Sequence, residues 1–175
     1  MVSRDPPAAR VSRYLALQPP PRVRRELAGV LADLGMRDVG PHVTMVAPPE
    51  LPADDAWLDA VRAVAARTAP FPVRLGEVAS FDERVRYLTV EGDGVTALRG
   101  ALEAALGLAP RAYTFVPHLT LARARRDRPL PEVDARAIPA RVRRPFLVTD
   151  LGLFTRPRAG APYARTRSFR LAGEP

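Results

Sequence analysis

The sequence contains no cysteine, no lysine and only two histidines among its 175 residues. Without cysteine there is no disulfide framework and no thiolate metal site. No apolar run approaches the roughly 18 residues that a membrane-spanning helix requires. The opening MVSRDPPAAR also lacks the apolar centre of a signal peptide. A soluble, cytoplasmic, monomeric protein with no membrane partner is the expectation. The missing lysine makes every one of the 27 basic residues an arginine. A GC-rich genome accounts for arginine in place of lysine, but not for a formal net charge of +8. An excess of that size favours a polyanionic partner, because arginine forks suit phosphate oxygens and stack on bases.

What the sequence does contain is a duplicated pattern that uses both histidines. Pro41-His42-Val43-Thr44-Met45 and Pro117-His118-Leu119-Thr120-Leu121 each read Pro, His, apolar, Thr, apolar. In a β-strand alternate side chains share a face, so His42 and Thr44 project together, as do His118 and Thr120. Two such strands side by side would offer two imidazoles and two hydroxyls to one cleft. An unperturbed imidazole titrates near pH ~6.5, so a pair can divide the work of general acid and general base. The threonine hydroxyls can donate to an anionic oxygen held between the rings. A phosphodiester placed there can be cleaved by in-line displacement without a metal. A metal held by the two histidines would need a third ligand, and no HxxxH, cysteine or carboxylate cluster adjoins either motif.

At these residues the chain resembles the 2H phosphoesterase superfamily, the 2′-5′ RNA ligase-like and cyclic nucleotide phosphodiesterase proteins. The likeness runs from about Ser12 to Leu171. It takes in Arg13-Tyr14-Leu15-Ala16-Leu17 with the Pro-rich turn after it, PHLTLAR at the second motif, and the closing DLGLFTRPRAGAPYARTRSFRL. The resemblance implies a phosphodiesterase, needing no metal or other cofactor, that opens 2′,3′-cyclic phosphates on RNA ends or nucleotides to leave 2′-phosphates. The reverse reaction, 2′-5′ ligation of RNA ends, is chemically allowed. His118 would then activate water and His42 protonate the departing 3′ oxygen, with Thr44 and Thr120 on the phosphoryl oxygens; the sequence does not fix which histidine plays which part. PHVTMVAP at the first motif, in place of a Leu-rich HLTL, leaves the subfamily and its substrate open. The alternatives are a small cyclic phosphate such as ADP-ribose 1″,2″-cyclic phosphate, or a non-catalytic module that binds RNA ends.

The order of elements supports a duplicated fold. After a leader over residues 1–11 that is expected to be disordered, a strand is expected over 12–18. A helix follows the Pro19–Pro21 turn, its apolar stripe at Val23, Leu27, Val30, Leu31 and Leu34 ending at Gly35. The first motif strand covers 41–47, and a second helix capped by Asp54 or Asp55 carries Leu58, Val61 and Val64 inward. Strands over 71–78 and 84–91, a helix from Asp93-Gly94 with Val95, Leu98, Leu102, Ala105 and Leu106 on its inner side, and the second motif strand over 113–123 follow. An Arg- and Pro-rich loop with at most one helical turn then leads to strands over 146–155 and 163–171. The expectation is an α+β fold forming one bilobal domain over 12–175, with duplicated antiparallel sheets, outer helices and a central cleft carrying both His-x-Thr motifs.

Three further candidates carry weaker signals. In the family's second motif an arginine often contacts phosphate, and Arg123 stands at that place. Strict alternation turns it away from His118, so the role needs a bulge or a strand end. Tyr87 and Phe115 can stack a base, although strand aromatics more commonly serve the core. The arginines in 123–128, 141–144 and 156–167 form either a substrate-binding rim or a solvated face.

Overall fold

The computed structural model describes residues 11–36, 40–52, 54–110, 113–126 and 128–174. Of the expected leader, only Val11 falls within them. Eight strands and three longer helices are described: β1 (Ser12–Leu17), α1 (Pro21–Asp33), β2 (Val43–Val46), α2 (Leu58–Arg67), β3 (Phe71–Phe81), β4 (Val85–Glu91), α3 (Asp93–Leu106), β5 (His118–Arg123), β6 (Phe146–Val148), β7 (Asp150–Arg156) and β8 (Ala164–Arg170). Pro21 opens α1, where its missing N–H costs nothing, and Gly35 at φ 79° follows its end. Val23, Leu27 and Leu31 are the buried stripe of that helix.

All strand pairs are antiparallel, in the order β6-β3-β4-β5-β2-β1-β7-β8. The sheet therefore consists of two four-stranded halves, each ending in a motif strand, and β2 and β5 join them. One residue, Thr149, separates β6 from β7, although the two lie six places apart in the sheet. At about 4.8 Å per strand a flat sheet would set them roughly 29 Å apart, and one residue advances the chain by about 3.8 Å. The sheet must curl until its two ends approach each other. Expected as one strand, residues 146–155 are thus two, serving opposite halves.

Val43, Met45, Leu119 and Leu121 point into a single core that also takes Val61 and Val64 of α2 and Val95, Leu98 and Leu102 of α3. Truncating any of these leucines should cost about 2–5 kcal/mol. The α+β character, the duplicated antiparallel sheets and the outer helices all match the sequence expectation. Two strand bounds shift: the second motif strand, expected over 113–123, begins at His118, and β3, expected over 71–78, runs on to Phe81. Three further details differ. Asp54 and Asp55 do not cap α2: its first residue follows Trp57, while Asp54 accepts the Ala56 N–H and Asp55 pairs with Arg13. Ala105, expected on the inner face of α3, is exposed. The loop after β5 holds two short 3₁₀ turns, Ala135–Ala137 and Ala140–Arg143, rather than one helical turn near 132–136.

Candidate active site

The two motif strands meet at one register pair, Val43 opposite Leu119. Because the strands are antiparallel, one step either way sets His42 opposite Thr120 and Thr44 opposite His118. Val43 and Leu119 are buried, so alternation turns all four polar residues to the other face, where each is partly exposed. The motifs therefore cross over: each histidine faces the threonine of the other half.

Both imidazoles are oriented by the same device. His42 Nδ1 lies 2.8 Å from the Gly40 carbonyl, and His118 Nδ1 lies 2.8 Å from the Val116 carbonyl. A carbonyl can only accept, so Nδ1 carries the proton in both neutral rings and Nε2 is left as the free acceptor. Each ring also rests on aromatics of its own half. The centroid of Tyr14 is 5.1 Å from that of His42, with Phe154 stacked 5.0 Å behind Tyr14. Phe81 and Tyr87 lie 4.9 and 5.3 Å from His118, both edge-on. Desolvation by these surroundings is the main force pushing both imidazoles below their ordinary pKa, opposed by the carbonyl bonds. The Arg123 charge lowers both further, and His118 adds to the effect on His42. Burial likewise pushes the Tyr14 phenol far above its ordinary value.

Arg123 reaches the cleft through a bulge. On β4 and β5, Arg86 pairs with Ala122 but Tyr87 pairs with Thr120, leaving Leu121 as the extra residue. Leu121 and Ala122 are both buried, and Arg123 emerges on the histidine face with Nη2 3.4 Å from Thr120 Oγ1. The first half repeats the irregularity: Leu15 pairs with Val46 and Ala16 with Thr44, so Met45 is the extra residue. Ala47 occupies the place that Arg123 takes in the second half. A cleft of about 180 Å³ is lined by Tyr14, Met36, Gly40, His42, Thr44, Pro48, Thr120, Arg123 and Tyr163. His118 is not among the lining residues; Thr44, which it faces, and Arg123 are.

The bulge of the first half is held from behind by Arg99 of α3, which is 2% exposed. Its guanidinium donates to the Met45 carbonyl, to Glu50 Oε1 at 2.7 Å and to Glu103 Oε1 at 2.6 Å. Glu50 Oε2 in turn accepts the Ala47 N–H at 2.7 Å. The carbonyl and amide that the bulge removes from the ladder are thus both satisfied by one buried ion network. These partners hold the Arg99 pKa above its ordinary value even though burial opposes it. Sequence reading missed this residue. Its signal was present: Arg99 lies on the apolar stripe of α3, four residues after Val95 and three before Leu102, with Glu103 one turn on.

The remaining candidates are spread more widely. Tyr87 is buried, stacked 4.2 Å from Phe81 and edge-on to His118. Phe115 packs on the core, its ring 5.5 Å from the Arg99 guanidinium, and does not line the cleft. Arg141 pairs with Glu26 at 2.8 Å and Arg143 with Glu77 at 2.7 Å, so these two brace the fold and line no part of the cleft. Among the described residues no three of His, Cys, Asp or Glu converge on a point that could hold a metal ion. No described helix is long and apolar enough to cross a membrane.

The sequence matches the 2′-5′ RNA ligase superfamily over residues 7–160. The chain belongs to that superfamily. A Bacillus cytotoxicus protein, named as a candidate phosphoesterase, is 36% identical over 89 residues, or 48% of this chain and 52% of the relative. A Bacillus cereus protein of the same description is 36% identical over 90 residues, 47% and 51% of the two chains. The chain thus spans about half the length of these relatives. Solved structures of the superfamily's fold cover nearly all of it. A Thermus thermophilus protein superimposes with a TM-score of 0.68 at 23% identity, covering 94% of this chain and all of the other. Escherichia coli LigT bound to 3′-AMP gives 0.60 at 20% identity, with 91% and 97% covered. LigT has also been crystallised with ATP and with NADP+. Like these structures, the 2′-5′ RNA ligase-like chain described here is a mixed helix-and-strand protein built on a curled antiparallel sheet.

Proposed function

We propose that the protein is a metal-independent phosphodiesterase that hydrolyses 2′,3′-cyclic phosphates of RNA ends or nucleotides to 2′-phosphates. The observation that carries this reading is the pair of identically anchored imidazoles on one face of the sheet, each in register opposite the other motif's threonine. Superfamily membership supports the reaction class, and the nucleotides bound to LigT support the substrate class.

In this mechanism a cyclic phosphate enters with its anionic oxygens toward Thr44 Oγ1, Thr120 Oγ1 and the Arg123 guanidinium. One neutral imidazole takes a proton from water through Nε2 as the water attacks phosphorus. The P–O3′ bond breaks in line, and the other imidazole, protonated, gives its Nε2 proton to the departing 3′ oxygen. The proton removed from water and the proton delivered to O3′ leave the pair with its roles exchanged. On the superfamily resemblance, His118 is taken as the base and His42 as the acid. Burial favours the neutral form of both rings before substrate arrives, and the phosphate anion restores the charged form of one. Thr44, Thr120 and Arg123 meet the negative charge that accumulates on the phosphoryl oxygens. The protein acts as a cytoplasmic monomer, and reverse ligation of RNA ends follows from microscopic reversibility.

A second reading, supported by the ATP and NADP+ bound to LigT, keeps the reaction but takes a free cyclic phosphate such as ADP-ribose 1″,2″-cyclic phosphate, rather than an RNA end, as the natural substrate. The test is turnover of 2′,3′-cyclic AMP in excess EDTA, with products resolved by chromatography. Release of 2′-AMP is expected. No release, or release only after a divalent ion is restored, would remove the proposal. Competition between a cyclic-phosphate oligonucleotide and ADP-ribose 1″,2″-cyclic phosphate separates the two readings.

A further inference from the structure

One charged group near the cleft is used by nothing described above. Arg156, near the end of β7, pairs in register with Ser12 of β1, as Phe154 pairs with Tyr14. Alternation puts Arg156 on the face of Phe154 and Tyr14, the face that carries His42. Tyr163 covers this corner. Its ring lies edge-on to Tyr14 at 4.8 Å, and its hydroxyl is 2.7 Å from Ser12 Oγ. The Arg156 guanidinium carbon stands 4.8 Å from the Tyr163 centroid. A continuous row therefore runs from the cleft outward: His42, Tyr14, Tyr163, Arg156, with about 5 Å between successive groups. Tyr14 and Tyr163 already line the cleft.

Arg156 has no carboxylate among the ion pairs of the described residues, and its Nε is buried with no hydrogen-bond partner there. A buried donor left unpaired costs on the order of 1–3 kcal/mol. Packing on Tyr163 alone would be served as well by a side chain without that donor. The contrast with Arg99, whose guanidinium meets three protein partners, is direct. Arg156 instead keeps a full charge, and beyond the buried Nε its terminal N–H groups meet no acceptor among the described residues, which leaves them for one that comes from outside the protein.

We infer that Arg156, held against Tyr163, is the binding site for a second phosphoryl group of the substrate, the one on the 5′ oxygen of the reacting ribose. The inference rests on the cyclic-phosphodiesterase reading of the cleft. A nucleotide whose 2′ and 3′ oxygens are closed into the reacting phosphate has only its 5′ oxygen through which to carry another. In RNA that group is the internucleotide linkage; in a mononucleotide it is a terminal 5′-phosphate. With the cyclic phosphate between the histidines, the ribose and base extend along Tyr14 and Tyr163, and the 5′ phosphoryl comes within reach of the guanidinium. The subsite makes the enzyme selective for 5′-phosphorylated over 5′-hydroxyl cyclic nucleotides. The helical side of the sheet offers no rival of the same quality: the hollow between α2 and β8 is lined by Arg62, Arg167 and Arg170, but Arg62 is already paired with Asp59 and no histidine is near.

The experiment measures kcat/KM of the full chain for three probes: 2′,3′-cyclic AMP, the same compound with a 5′-phosphate, and the dinucleotide ApA ending in a 2′,3′-cyclic phosphate. The unmodified protein should prefer the latter two by roughly tenfold or more, the worth of a charge-assisted hydrogen bond, and the preference should shrink as salt is raised. Arg156→Met should collapse the ratio toward one. Arg156→Lys should restore part of it, because the charge remains while the fork is lost. A preference for ApA alone would assign the site to the internucleotide phosphodiester, and a preference for both to phosphoryl groups in general. No preference in the unmodified protein, or a ratio that survives Arg156→Met, overturns the subsite while leaving the reading of the cleft intact. The salt dependence needs no variant, so a misfolded Arg156→Met would not spare the proposal. If none of the three probes is turned over, the reading and the subsite fall together.

Discussion

In the half of the sheet that ends in β2, His42 is anchored by the Gly40 carbonyl and backed by Tyr14 and Phe154. In the half that ends in β5, His118 is anchored by the Val116 carbonyl and backed by Phe81 and Tyr87. Each motif strand bulges one residue after its threonine, at Met45 and at Leu121. Past the bulge the halves part. The second places Arg123 in the cleft, whereas the first has Ala47 at the matching position and keeps its cation, Arg99, buried behind the strand. The duplicated part of the molecule is the part that holds and orients the imidazoles. The unduplicated part is the charge, which one half gives to the cleft and the other spends on holding its own strand.

The comparison breaks most visibly if the histidines are not equivalent partners. His42→Ala and His118→Ala should each lower kcat by roughly 10²–10⁴, with the double variant little worse than the poorer single one. Steady-state rates on 2′,3′-cyclic AMP give all three values; losses that multiply would mean the two rings do not share a transition state.

The next effect is on stability and belongs to the first half alone. Arg99→Met takes the donor from the buried Met45 carbonyl and from the largely buried Glu50, while the more exposed Glu103 turns to water, so unfolding free energy should fall by about 3 kcal/mol. A denaturant titration read by circular dichroism measures it. A loss below about 1 kcal/mol would mean that the network does not hold the bulge.

A smaller effect separates the halves at their unmatched position. Arg123→Gln should lower kcat/KM by roughly tenfold to a hundredfold, the range for a hydrogen bond to a charged group. It should also move the acid limb of the pH profile upward, since Arg123 lowers both imidazoles. An unchanged limb would place Arg123 outside the electrostatics of the pair. The smallest effect is on folding. Both histidines are depressed in the folded protein, so below pH ~6.5 the unfolded chain binds more protons and stability should decline as pH falls. Double substitution of the histidines should flatten that part of a stability–pH curve.

The histidine pair was legible because the side-chain period of a strand is two, and a pattern of that period occurred twice. Even the bulge at Leu121 was implied, since Arg123 could join His118 on one face only if alternation failed. The break at Thr149 was not legible, because residues 146–155 keep strand character throughout and only the partners of β6 and β7 divide them. Asp54 and Asp55 looked like helix caps, but an aspartate serves a turn or an ion pair equally well. The arginines were the least readable. Arg99, Arg123, Arg143 and Arg156 are the same residue in four settings, and only tertiary partners tell a buried brace from a group that faces the cleft.

The central claim is that the two halves supply one proton acceptor and one proton donor, and the pH dependence of turnover tests it most directly. With a cyclic phosphate as substrate, kcat/KM should follow a bell centred on the acid side of neutrality, because burial and Arg123 lower both imidazoles in the free protein. The alkaline limb of kcat should lie higher than that of kcat/KM, because bound phosphate stabilises the imidazolium. His42→Ala and His118→Ala should each erase a different limb. A profile that stays flat from about pH 5 to pH 9, or variants that lose the same limb, would contradict the account.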